Sequence, residues 1–493
     1  MDSDREQDTS VTKPQDLLDQ ASRLHQSGQI QEAIKLYVKI LPRQRNNPQL
    51  LYLLGTANVQ IGRYEQAIEL LKRSLLLNPY NAFAHNNRGN ALKELKRLDE
   101  ALVSYNKALA IKPEYAEAYN NRGAALHELK RFDEALASYD KALALHPEYA
   151  EAHKNRGIAL GELKRLDEAL ASYDKALAID PEYADACWNK SLLLILMGQY
   201  LEGWELYEWR LKREEAKDAY PAFPKPAWRG QQDIQRKRLL IHAEQGFGDV
   251  IQFCRYVHQV KPLGAEIILE VPESLVSFVS TLACPMTVVA KGTALPEFDA
   301  YCPIMSLPYV FKTTLETIPS VTPYLSSDAR KVQKWKATLQ DEQRLKVGLV
   351  WSGSEKHKND ISRSIRLADL VPLTDLPAEW HSLQKDIREH DADTLRQHPE
   401  IHQHQSELND FSDTAALIQC LDLVISVDTS VAHVAGALGK PVWILLPFVP
   451  DYRWLLDRED SPWYPSARLL RQPKFGDWRS VVEMLRRVLE ERV

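Results

Sequence analysis

The residues able to do chemistry cluster at strand-to-helix turns in the second half of the chain. Leu421–Val427 is an apolar run that reads as a buried strand. Asp428-Thr429-Ser430 follows it, and Val431–Leu438, with His433 in its first turns, reads as a helix ended by Gly439-Lys440-Pro441. A helix N-terminus presents backbone N–H groups and the positive end of its dipole, which together suit a diphosphate. Thr429 and Ser430 add hydroxyl donors; the plainer alternative is that Asp428 or Thr429 only caps the helix. A second turn, Glu244-Gln245-Gly246-Phe247-Gly248-Asp249, joins a strand at Arg238–Ala243 to a helical pattern at Val250–Gln259, where Asp249 is a ready N-cap. A third, Ser352-Gly353, ends the strand Lys346–Trp351 and is followed by Lys356, Lys358, Arg363 and Arg366. A cation there would offset charge developing on a departing diphosphate without a metal. The register leaves all four open, with Arg363 the first choice and a solvated basic loop the alternative. Gln384-Lys385 closes the next strand and is expected to line a nucleotide pocket.

Several other chemistries are excluded. Gly246-Phe247-Gly248 is an incomplete dinucleotide fingerprint, because Ile251 stands where the third glycine belongs. No GxxxxGK[ST], GxSxG or HExxH pattern occurs. His398, His402 and His404 lie in a polar stretch expected to be exposed and poor at holding a metal. No strand-flanked Asp-x-Asp motif is evident, so metal-independent chemistry with no cofactor is expected. Asp451–Pro465, carrying Trp454, Asp457, Arg458, Trp463 and Tyr464, is too aromatic for an ordinary loop; it either closes over a ligand or seals an interface.

These turns need parallel strands to hold them. Candidate strands are Arg238–Ala243, Glu266–Val271, Thr287–Ala290, Lys346–Trp351, Trp380–Leu383, Leu421–Val427 and Val442–Leu446. Nearly continuous apolar strands alternating with helical patterns predict parallel sheets covered on both faces. The charged stretch Asp341–Arg344 marks a break between two Rossmann-like halves, 237–342 and 343–493. The amphipathic Trp478–Glu491 is expected to pack back across the first half. A proline-bearing linker, 218–236, precedes them.

The first half is periodic. Gly55, Gly89, Gly123 and Gly157 are spaced 34 residues apart, as are Pro79, Pro113, Pro147 and Pro181, and Ala67, Ala101, Ala135 and Ala169. Each period reads as two helices, with proline stopping the second. About six units fill 14–217, the last divergent with Ser191 in place of glycine; 1–13 is expected to be disordered. Asn87, Asn121, Asn155 and Asn189 recur at one position of the first helix. An amide offers both donor and acceptor, so such a ladder can pair with the backbone of an extended peptide. The alternative is that asparagine is simply common there.

Composition bounds the rest. The 493 residues are 44% hydrophobic and 26% charged, an ordinary globular balance. The net charge of −6 argues against a nucleic-acid partner. The longest apolar run, Leu192–Met197, is far too short to span a membrane. Met1–Ser10 has no signal-peptide core, so a cytoplasmic location is expected. Five scattered cysteines without a CxxC pair make a disulfide scaffold or cysteine zinc site improbable.

The repeats resemble the tetratricopeptide repeat, which implies a superhelix with a peptide-binding groove and a route to oligomers. The asparagine series resembles the ladder of O-GlcNAc transferases. Asp428-Thr429-Ser430 with His433 resembles the donor motif of heptosyltransferases, GT-B glycosyltransferases that carry glycine where Ser430 stands. The Gly248-Asp249 pair is similar to their first strand–helix turn. The resemblance implies that 428–433 hold a sugar diphosphate, with Asp428 near sugar hydroxyls. It makes Asp249 the candidate base and places Gly246, Gly248, Ser352, Gly353, Arg363 and Gln384 around the donor. The expected fold is a tetratricopeptide superhelix followed by an α/β GT-B region of two Rossmann-like domains. The expected activity is metal-independent inverting transfer from a nucleotide sugar to a hydroxyl, on a protein held by the repeats. A glycan acceptor, with repeats recruiting partners, and a non-catalytic scaffold are the alternatives.

Overall fold

The computed structural model describes residues 14–216, 223–244, 246–339, 344–357 and 359–492. Most of the 341–344 break, part of the linker and the 1–13 segment lie outside the described residues. The chain divides into two compact units, one ending at Ala186 and one beginning at Cys187.

The first unit is built from helix pairs such as Ala82–Glu94 with Leu98–Ile111, Ala116–Glu128 with Phe132–Leu145, and Ala150–Glu162 with Leu166–Ile179. The 34-residue glycine is the contact point within each pair. A Cβ on Gly89, Gly123 or Gly157 would lie 2.5, 2.5 or 2.6 Å from the ring of Tyr105, Tyr139 or Tyr173. Only hydrogen fits there, so the second helix can lay its tyrosine against the first. Arg88, Arg122 and Arg156 tie the same helices by donating to Ser104, Ser138 and Ser172 at 2.8, 2.8 and 2.7 Å.

The second unit begins with the sixth helix pair, not after it. The helix Tyr200–Tyr207 buries Tyr200, Trp204 and Tyr207 against the α/β region. Trp204 meets Phe253 and Tyr452 edge-on at 6.1 and 5.9 Å. Arg210, buried just beyond, forks onto Glu244 at 2.6 and 2.8 Å. The divergence of this repeat thus has a physical cause: its aromatic face covers the sheets.

Two parallel sheets follow. The first has order β3-β2-β1-β4, from β1 (Arg238–His242), β2 (Glu266–Val271), β3 (Thr287–Ala290) and β4 (Ala300–Pro303). The second has order β10-β9-β8-β5-β6-β7, from β5 (Leu345–Val350), β6 (Ala378–Ser382), β7 (Ile401–Gln403), β8 (Leu423–Val427), β9 (Val442–Leu446) and β10 (Ala467–Arg471). β1, β5, β8 and β9 are flanked on both sides and read as apolar runs, as buried parallel strands should.

Three expectations need correction. The helix Ala329–Thr338, assigned to the first half, packs on the second: Trp335 meets His404 at 5.0 Å, and Lys331 reaches Asp410 and Asp413 at 3.3 and 2.7 Å. The final helix, Trp478–Glu490, does not pack back across the first half. Its Val481, Leu485 and Leu489 join the core of the six-stranded sheet with Val347, Trp380 and Leu470. The pattern at Val250–Gln259 is a helix, Phe247–Phe253, followed by a 3₁₀ turn, Cys254–Tyr256, and a short helix, Val257–Val260.

Candidate functional site

β1 and β8 each end in a turn whose helix meets the other. Gly246 precedes the helix Phe247–Phe253, and Thr429 precedes the helix Ser430–Ala437. A Cβ on Gly248 would lie 2.7 Å from Cδ2 of His433, so glycine at 248 lets the two helices close on each other. Gly436, one turn on, makes room for a different neighbour, the Tyr464 ring, which a Cβ would meet at 2.4 Å.

Arg453 sits at this junction, nine-tenths buried. Its Nη2 donates to Asp249 Oδ1 at 2.6 Å, its Nε lies 3.0 Å from Asp451 Oδ1, and its Nη1 lies 3.4 Å from His433 Nε2. Asp249 Oδ2 accepts the Gly246 N–H at 2.9 Å: the N-cap is Gly246 and not Asp249, which lies inside the first turn and reaches back to it. A guanidinium only donates, so His433 carries its proton on Nδ1 and donates to Tyr464 Oη at 2.8 Å. Burial, then the neighbouring Arg453 and Arg255, holds that imidazole well below its usual range and neutral. It stacks on Trp454 at 5.4 Å. Burial, then Asp451, pushes the buried Asp428 carboxyl up to about 6, while Arg453 and Arg363 pull the other way.

The third turn completes the group. Arg363 Nη1 donates to the Asp428 carbonyl at 3.2 Å, and its guanidinium lies over Gly353, where a Cβ would meet Nη2 at 2.5 Å. Among the described residues, Arg363 Nε and the buried Ser352 Oγ have no hydrogen-bond partner. The Ser430–Ala437 helix has no side-chain cap, because Thr429 Oγ1 pairs with Ser426 Oγ at 3.1 Å instead. Orphaned donors and an uncapped helix N-terminus therefore converge beside Asp428. Of the other cations, Lys356 and Arg366 are exposed and Lys358 lies outside the described residues.

Gln384 has a different task from the one expected. Its Oε1 accepts from Trp351 and Ser352 N–H at 3.3 and 3.2 Å, and its Nε2 donates to the Ser352 and Asp386 carbonyls at 3.1 and 3.0 Å. It braces the Ser352 turn with its whole amide. Arg388, unread in the sequence, does likewise, donating to Asp360 Oδ2 at 2.6 Å and the Gly353 carbonyl at 3.1 Å. Arg453 was also missed, although its position just past the end of β9 was a signal. In parallel α/β sheets, ligands gather at the carboxyl ends of strands. The aromatic segment around it packs inward: Trp454, Trp463 and Tyr464 are buried, and Arg255 Nη1 donates to the Trp463 carbonyl at 2.7 Å.

The histidine stretch is not simply exposed. His404 is buried, with Nε2 3.1 Å from Nδ1 of the buried His381. His402 stacks on His381 at 5.2 Å across β6 and β7. Among the described residues, no group of three or more histidine, cysteine or acidic side chains has a geometry suited to a metal.

In the first unit, the ladder asparagines each spend an N–H on the preceding repeat. Asn87 donates to Thr56 Oγ1 at 2.9 Å, Asn121 to Asn86 Oδ1 at 3.1 Å, and Asn155 to Asn120 Oδ1 at 2.9 Å. Their side chains form no other hydrogen bond among the described residues. Asn189 lies in the second unit, on the helix Ala184–Leu196.

Residues 24–84, 89–130 and 114–182 match tetratricopeptide-repeat families. The N-terminal unit is a tetratricopeptide-repeat superhelix. Residues 407–445, which carry β8 and the Asp428 turn, match glycosyltransferase family 9 (heptosyltransferase). Protein FlbA of Caulobacter vibrioides (strain ATCC 19089 / CIP 103742 / CB 15) is 28% identical over 314 residues, 58% of this chain. The chain spans about half that relative's length, 52%. Among solved structures, MamA is 28% identical (TM-score 0.31), covering 33% of this chain and 96% of its own. A thermophilic repeat protein of Thermus thermophilus is 27% identical (TM-score 0.33), covering 37% and 100%. The architecture is a repeat array joined to a glycosyltransferase-like α/β region. Among the described residues, no helix is long and apolar enough to cross a membrane.

Proposed function

We propose that the α/β region transfers a sugar from a nucleotide sugar to a hydroxyl acceptor, and that the acceptor is a protein segment presented by the repeats. The observation that carries the donor side is the convergence of orphaned donors, Arg363 Nε and Ser352 Oγ, on an uncapped helix N-terminus. Such a cradle complements a diphosphate. Asp428, beside it, would accept sugar hydroxyls. In a single inverting displacement the acceptor oxygen bonds to the anomeric carbon, the bond from that carbon to the diphosphate breaks, and Asp249 takes the acceptor proton. Arg363 offsets the charge left on the diphosphate, so no metal is required. On the acceptor side, Asn87, Asn121 and Asn155 each keep a carbonyl oxygen and one N–H to offer to a peptide backbone.

The test is a panel of nucleotide sugars added to the full chain. A donor that binds the folded state must raise its unfolding temperature, and Arg363→Ala should abolish that rise while leaving the unliganded midpoint within a few degrees. A panel in which no nucleotide sugar moves the midpoint, or in which Arg363→Ala responds like the wild type, overturns the assignment.

A further inference from the structure

Arg453 occupies an unexpected position for a site whose base is Asp249. A base must present an oxygen to the acceptor proton. Both oxygens of Asp249 are already engaged: Oδ2 accepts the Gly246 N–H at 2.9 Å, and Oδ1 accepts from Arg453 at 2.6 Å, so an acceptor hydroxyl would have to share an oxygen that another donor holds. The ion pair is well insulated, since both side chains are only 10% exposed. The guanidinium faces carboxylates from three elements: Asp249 on the helix after β1, Asp451 on its own turn, and Asp428 at the end of β8. It also faces the neutral His433 of the Ser430–Ala437 helix and the hydroxyl of Tyr452. It therefore lies within a turn of the helix N-terminus that would take a diphosphate, surrounded by acids that compete for it.

The turn that carries Arg453 is fixed rather than loose. Leu455 and Asp457 hold φ of +54° and +51°, a costly conformation for a leucine. Arg471 clamps the segment, donating to the carbonyls of Trp454, Leu455 and Arg458 at 2.7, 2.9 and 2.9 Å. With the backbone held, what remains to move is the side chain of Arg453.

We propose that Arg453 is a positioning residue that latches Asp249 until a donor arrives, then exchanges this carboxylate for the donor's diphosphate and frees Asp249 to take the acceptor proton. The inference rests on the donor and base assignments above. A dianionic diphosphate is a stronger partner for a guanidinium than one carboxylate, so binding and activation of the base become one event. In the absence of donor the base stays neutralised, which guards against proton abstraction with no sugar to transfer.

The latch has a thermodynamic signature that a structural ion pair lacks. If diphosphate must displace Asp249 from Arg453, removing the Asp249 charge removes a competitor. Binding of UDP, GDP, CDP and ADP to the full chain is measured by calorimetry, and the tightest is carried forward. Asp249→Asn should bind it at least about fivefold more tightly than the wild type, while sugar transfer or donor hydrolysis falls by roughly 10²–10⁴ in kcat. Arg453→Gln should bind it more weakly, Arg453→Lys should recover part of the affinity, and adding Asp249→Asn to Arg453→Gln should bring no further gain. Wild-type binding with Asp249→Asn unchanged or weaker overturns the latch and leaves the donor site standing. Absence of any diphosphate binding to the wild type overturns both. Should Arg453→Gln fail to fold, the comparison of Asp249→Asn with the wild type alone still decides.

Discussion

Asp428 carries a cost that its surroundings do not remove. Its carboxyl is buried and stands near Asp451, and it is pushed up to about 6 from an ordinary aspartate value near 4. A folded-state value above the unfolded one means that the native protein binds this proton more tightly than the unfolded chain. Stability from this group is therefore greatest at low pH and declines as pH rises through about 4 to 6. Asp428→Asn removes the ionisable group and keeps the shape. At pH 7.5 it should stabilise the fold by about 1–3 kcal/mol. At pH 4, where the wild-type carboxyl is protonated in the native state, the gain should largely vanish. Calorimetric unfolding of both proteins at the two pH values checks this; an equal midpoint at pH 7.5 would show that Arg453 and Arg363 already compensate the charge. The residue was legible in the sequence because a carboxylate between an apolar strand and a small-residue helix is conspicuous. Arg453 was not, since nothing local in Asp451-Tyr452-Arg453-Trp454 says that its partner lies 204 residues earlier, on the helix that follows β1.

At the scale of elements, one helix holds a controlled comparison. Gly157 and Gly161 both lie in Ala150–Glu162. At Gly157 an added Cβ would press 2.6 Å from the ring of Tyr173; at Gly161 it would meet nothing within 4 Å. Helix propensity alone favours alanine over glycine by about 1 kcal/mol at either place. Gly161→Ala should therefore raise stability by roughly 0.5–1 kcal/mol. Gly157→Ala should lower it by about 1–3 kcal/mol, because the clash outweighs propensity. Chemical denaturation of the two variants separates them, and a destabilised Gly161→Ala or a stabilised Gly157→Ala would refute the packing argument. The period pointed to Gly157 and not to Gly161, so the repeat was readable at the level of single contacts. The sheets were less so. β7 is a three-residue edge strand whose His402 and Gln403 face solvent, and periodicity has no purchase on it. β4 (Ala300–Pro303) and β10 (Ala467–Arg471) are mostly buried but lie at sheet edges, where a proline or arginines interrupt the apolar run that marks the central strands.

At the scale of the whole molecule, the division of the chain follows burial rather than repeat pattern. The sequence period continues to about residue 217, yet the compact unit containing the sheets starts at Cys187. The reason is chemical. Glu244 has a fully buried side chain, and its cation is Arg210, which also donates to Ser306 Oγ at 2.8 Å. Tyr200 Oη accepts from Trp463 Nε1 at 3.2 Å, and Trp204 lies between Phe253 and Tyr452. A chain beginning at Ala184 keeps all of these contacts. A chain beginning at residue 218 leaves Glu244 buried without its arginine, a loss of about 3–5 kcal/mol, and uncovers the aromatic surface beneath Trp204. Against a total stability of roughly 5–15 kcal/mol, that loss is decisive. The chain from Ala184 should unfold in one cooperative transition and bind nucleotide as the full chain does. The chain from residue 218 should show no such transition and should bind an apolar dye at pH 7. If the two unfold at the same temperature, the sixth helix pair is dispensable to the sheets, and the domain boundary belongs where the repeat period ends.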